Sequence, residues 1–100
     1  MADGFNDTIH APNRLRICSI LAEVGEAEFG VLRDALSLSD SVLSKHVKVL
    51  EQAGFATLRK GSVNGRTRTW VALSKAGQTA FRAHVHELRR LAAAVDEIVP

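Results

Sequence analysis

The chain has 100 residues, 46% of them hydrophobic, with one cysteine and a formal net charge of +2. That length supports one compact domain and excludes a second, and apolar runs of only a few residues fall far short of the roughly 20 that cross a bilayer. A lone Cys18 makes no internal disulfide, and no basic stretch followed by an apolar core opens the chain, so a cytoplasmic, reducing setting is expected with no membrane partner.

Residues 1–7 are expected to fray. Pro12 suits the first turn of a helix, where its missing N–H costs nothing, and Leu15, Cys18, Leu21 and Ala22 recur at helical spacing up to Gly25, so a first helix is expected over residues 9–25. After an acidic turn, Glu26 to Glu28, the residues Phe29, Leu32, Ala35 and Leu36 share one face of a short second helix over 29–37.

Ser39 is placed to cap a third helix over 39–54, with Asp40 in its first turn complementing the helix dipole. Stepping 100° per residue puts Leu43, Val47 and Leu50 on one face and Ser41, Lys45 and Lys48 on the other. Gly54 ends this helix. Residues 55–73 then alternate as a hairpin, with Ala56 and Leu58 on one side and the Asn64-Gly65 pair at its tip. On the return strand Val71 and Leu73 share a face with Thr67 and Thr69, while Arg66, Arg68 and Trp70 take the other. A last helix over 74–98, capped by Ser74, carries Phe81, His84, Leu88, Leu91, Val95 and Ile98 or Val99 at three- and four-residue spacing. That stripe is longer than one small domain can cover, which points to a second copy of the chain as its partner.

Charge is segregated along this plan. Residues 41–86 hold eight bases against the single acid Glu51, a net of +7, whereas residues 1–40 hold three bases against seven acids, a net of −4. Such segregation suggests a polyanion facing the middle of the chain. Two helices joined by a short turn, the second basic on its outer face and followed by a basic hairpin, form the plan of a winged helix-turn-helix. The expected fold is therefore α+β, mainly α, with a two- or three-stranded antiparallel wing and a long C-terminal dimerisation helix.

The segment LSLSDSVLSKHVKVLEQAG over residues 36–54 resembles the recognition unit of MarR-like and ArsR-like winged-helix regulators. NGRTRTWVALSKAG over 64–77 is similar to the wing and following helix start of small single-domain MarR-like proteins, and IHAPNRLRICSIL over 9–21 to their first helix. The resemblance implies a double-stranded-DNA-binding transcriptional regulator, a homodimeric repressor on a palindromic operator, with no enzymatic activity and no cofactor. It places Ser41, Ser44, Lys45 and Lys48 against bases or phosphates and Arg66 and Arg68 at the minor groove or backbone. Arg59, Lys60 and Asn64 complete the basic hairpin. Val42 is placed either to touch a thymine methyl or to pack on the neighbouring helix. Phe81, His84, Leu88, Leu91 and Val95 are the expected dimer contacts.

The resemblance also has limits. The paired cysteines that many ArsR-like proteins carry before the recognition helix are missing from GVLRDAL, and no metal site is expected; His10, His84 and His86 are expected to be ordinary surface histidines, and His46 a partly buried helix histidine bonding locally. Trp70 is expected to cover a flank of the domain or a subunit joint. A small-molecule effector near Trp70 and the first helix is a further expected partner. The same charge map also suits a winged-helix interaction module docking on an acidic protein.

Overall fold

The structure, a computed structural model, describes residues 4–98, without the side chain of Ile98; residues 1–3 of the expected frayed stretch, and Val99, lie outside them. Residues 4–7 are held rather than frayed. The Asn6 side chain accepts from the Ile9 amide at 3.0 Å and opens the short helix α1 (Asp7–His10), which buries Ile9 completely. Ala11 then turns extended (φ −53°, ψ 132°), as a residue before proline tends to, and α2 (Pro12–Val24) follows. The single first helix expected over residues 9–25 is thus two.

Glu26–Glu28 forms strand β1 and not a turn. Its residue types favour no strand; pairing with a later strand supplies the backbone partners. The Glu28 side chain accepts from Gly30 N–H at 3.1 Å and caps α3 (Phe29–Leu36), which Ser37 ends in the left-handed region at φ 54°. Three residues, 37–39, lead into α4 (Asp40–Gln52), where Ser39 Oγ accepts from the Val42 amide at 3.2 Å. Leu43, Val47 and Leu50 are buried as their spacing requires.

Strands β2 (Ala56–Val63) and β3 (Arg66–Leu73) form the hairpin, closed by Asn64 at φ 52° and Gly65 at φ 77°. Two left-handed central residues define the tight turn whose twist matches paired strands. The sheet order is β1-β3-β2, all antiparallel, so the wing has three strands at its root and two at its tip. Val71 and Leu73 join Ile17, Leu21, Leu32, Leu36 and the α4 residues in one core. Cys18 lies in that core, and burial pushes its thiol up to about 11, leaving it protonated.

Ser74 ties the elements together: its amide donates to the Phe55 carbonyl at 2.9 Å, its hydroxyl donates to the Gly54 carbonyl at 2.5 Å and accepts from Gly77 N–H at 2.9 Å. This is the start of α5 (Lys75–Ile98). Its first half packs on the body through Phe81, and residues 91–97 are all exposed. The molecule measures 58 × 27 × 21 Å with a radius of gyration of 15.3 Å, against about 13 Å for a compact domain of this length. The projecting end of α5 accounts for the difference.

One residue of the expected dimer stripe is displaced from it. His84 is 0% exposed within the protomer: its Nδ1 accepts from the Asn6 amide at 3.0 Å, and its Nε2 lies 3.1 Å from His10 Nδ1. Phe5 packs on both rings, with centroids 4.7 Å away. His84 is neither a surface histidine nor available to a partner, because the N-terminal segment folds over it.

Candidate nucleic-acid interface

The outer face of α4 presents Ser41, Ser44, Lys45 and Lys48 together, all exposed, opposite the buried leucines. Asp40, in the first turn of α4 after the Ser39 cap, pairs with Arg33 of α3 at 2.7 Å. That pair bridges the end of α3 and the start of α4. Val42, on the first turn of α4 beside this face, is 37% exposed. His46 stands on the seam between the cationic face and the core, its Nδ1 3.2 Å from Arg14 Nη1. Burial, then the charges of Arg14 and Lys45, hold the His46 pKa below its usual 6.5.

The wing divides into a neutralised root and a free tip. Arg59 donates two bonds to Glu26, and Arg68 lies 3.6 Å from Glu28. Trp70, half-buried, sits beneath Arg59 with 4.4 Å between guanidinium carbon and ring centroid, on the strand face expected for it. Toward the tip Lys60, Asn64 and Arg66 are exposed, and among the described residues Lys60 and Arg66 make no ion pair, nor do Lys45 and Lys48. The acids of β1 were the feature that reasoning from charge alone missed. Their Glu-Ala-Glu spacing, the two-residue period of a strand, was the available signal.

The α4 start and the wing strand line one crevice of about 300 Å³, with Asp40 on one wall and Thr67, Arg68 and Thr69 on the other. The helix N-terminus and the hairpin therefore flank the same side of the protein. A second groove, about 540 Å³, runs between α2 and α5, lined by Leu21, Phe81 and Val85 with Arg82, His86 and Arg89 at its margin. It lies by the first helices as expected for an effector, but Trp70 is not part of it.

Residues 13–92 match a family model described as "Winged helix DNA-binding domain". An uncharacterized protein of Methanocaldococcus jannaschii is 32% identical over 78 residues, covering 78% of this chain and 85% of that protein. A transcriptional regulator homologue from Pyrococcus horikoshii OT3 superposes with a TM-score of 0.84 at 26% identity, over 89% of this chain and 88% of that one. NadR in complex with 4-hydroxyphenylacetate superposes with a TM-score of 0.74 at 24% identity, over 95% and 67% of the two chains, a likeness of fold alone. Among the described residues no helix is long and apolar enough to cross a membrane.

Proposed function

The chain belongs to the winged helix DNA-binding domain family, and from that premise we propose that it is a sequence-specific transcriptional repressor that binds a palindromic operator as a homodimer in the cytoplasm. The resemblance to small MarR-like regulators is borne out, and family and fold are those of transcription regulators and not of enzymes. The observation that carries the reading is the exposed set Ser41, Ser44, Lys45 and Lys48 on a capped helix beside the wing tip, its two lysines making no ion pair among the described residues.

Short polar side chains near a helix N-terminus let the backbone approach base edges, so Ser41, Ser44 and Lys45 read bases, and Val42 meets a thymine methyl. Lys48 takes phosphate. Lys60, Asn64 and Arg66 hold the backbone or minor groove from the wing, with Arg59 and Arg68 contributing only as their acids release them. Leu88, Leu91 and Val95 pair the projecting α5 helices of two copies, with Phe81 serving the protomer's own core, and this spaces the reading helices about 34 Å apart. Occlusion of a promoter is the mechanism of repression.

If the dimer neutralises on the order of 6 to 10 phosphates, affinity for duplex DNA falls by roughly 10³ to 10⁵ between 50 and 200 mM salt. Lys45→Ala alters sequence preference, and Arg66→Ala weakens all duplexes alike. Salt-independent binding would refute the phosphate contacts. A small-molecule effector fits the α2–α5 groove, whose volume suits a compact ligand and whose arginines favour an anionic one; NadR was solved with an aromatic carboxylate.

A further inference from the structure

Resting on the DNA-binding reading above, we infer that Arg14 is a positioning residue for the recognition helix, acting through His46. Arg14 stands on α2, touches neither the exposed face of α4 nor the wing, and is half-buried. Its Nε donates to the Thr8 carbonyl of α1 at 2.5 Å and its Nη1 lies 3.2 Å from His46 Nδ1. A guanidinium only donates, so His46 Nδ1 is the acceptor and carries no proton.

The placement of His46 gives this bond leverage. The apolar contacts of Leu43, Val47 and Leu50 hold α4 on the body, but dispersion and burial are not directional and tolerate small rotations of a helix about its axis. A hydrogen bond at the seam is directional. It fixes the rotation that decides whether Ser41, Ser44 and Lys45 point straight into a groove. Arg14 is itself anchored from the far side, because α1 is held on α5 by the Asn6 amide and His10 meeting His84. A continuous polar chain thus runs from the C-terminal helix to the recognition helix.

The test uses the whole 100-residue chain and variants that leave net charge unchanged. Arg14→Lys keeps the cation but loses the planar fork that serves two acceptors; His46→Leu removes the acceptor; His46→Asn restores one, its Oδ1 standing as many bonds from Cα as Nδ1 does. Thermal melts establish that each is folded at the assay temperature. Arg14→Lys and His46→Leu are each expected to weaken binding to the selected operator about tenfold, the loss of one charge-assisted bond, while binding to unrelated duplex stays within about twofold. The double variant is no weaker than either single one, and His46→Asn binds like wild type.

Losses that add, or that fall equally on both duplexes, overturn the inference. A DNA-free readout accompanies it: the imidazole nitrogen spectrum of His46 shows an unprotonated Nδ1 whose shift changes in Arg14→Lys, and an unchanged shift also overturns it. Failure of the wild type to bind any duplex would instead sink the DNA-binding reading, and this inference with it.

Discussion

Arg59 donates two hydrogen bonds to Glu26, at 3.2 and 2.8 Å, across 33 residues of sequence. The bonds hold the Glu26 carboxyl below its usual range and raise Arg59, so a wing arginine that charge counting assigns to DNA is already paired. Both groups are exposed, and such pairs are weak in water and weaker in salt.

Glu26→Gln is therefore expected to strengthen duplex binding severalfold at low salt, by removing an acid and freeing Arg59, whereas Arg59→Ala weakens binding less than Arg66→Ala does. Titrations of one duplex with the three variants check this. Equal losses for the two arginine variants would show that Arg59 leaves Glu26 at no cost.

Gly77 is required by close approach. A Cβ placed there would stand 2.0 Å from the Phe55 carbonyl oxygen, which is backbone and has no side-chain freedom to yield. Gly77→Ala is expected to cost about 1–3 kcal/mol or more, read as a fall in Tm, whereas Ser39→Ala costs only about 1 kcal/mol of helix capping. A Gly77→Ala melt matching wild type would mean that the start of α5 does not pack as described.

His84 sets a pH dependence. Burial lowers its pKa from the usual 6.5, and His10 adds to this while Asp7 opposes it. Below 6.5 the unfolded chain binds the proton that the folded chain refuses, so this contribution to stability is complete above 6.5 and is lost as pH falls below it. The same acidification breaks the bond from the Asn6 amide, since a protonated Nδ1 cannot accept. Tm should drop between pH 7 and 5 more steeply in wild type than in His84→Gln; parallel curves would remove His84 from the account.

Leu91 and Val95, 43% and 56% exposed on the projecting end of α5, make the dimer reading testable. Leu91→Arg combined with Val95→Asp is expected to give a folded monomer by sedimentation, with operator affinity reduced. A wild type that sediments as a monomer at micromolar concentration would place the partner of that face elsewhere.

What was legible in the sequence was local. The Ser39 cap, the leucine period of α4, the Asn64-Gly65 turn and the Ser74 helix start each depend on residues within a few positions, and each is found in the structure. What was not legible depends on distant partners. Glu26–Glu28 becomes a strand through residues 70–72, and Arg59 finds Glu26 33 positions away. His84 looked like part of an apolar stripe at helical spacing; its partners Asn6 and His10 lie 78 and 74 positions back. The acids opposite the wing root matter most for the site, because they divide a uniformly basic hairpin into a paired half and a free half.

The most direct test of the central claim is selection from a pool of randomised duplexes by the wild-type protein, run beside Lys45→Ala. Enrichment of an inverted repeat with half-sites one helical turn apart, about 10 base pairs, and an altered half-site with Lys45→Ala, are the predicted result. Recovery of no sequence above the starting pool, with the protein folded, would contradict it.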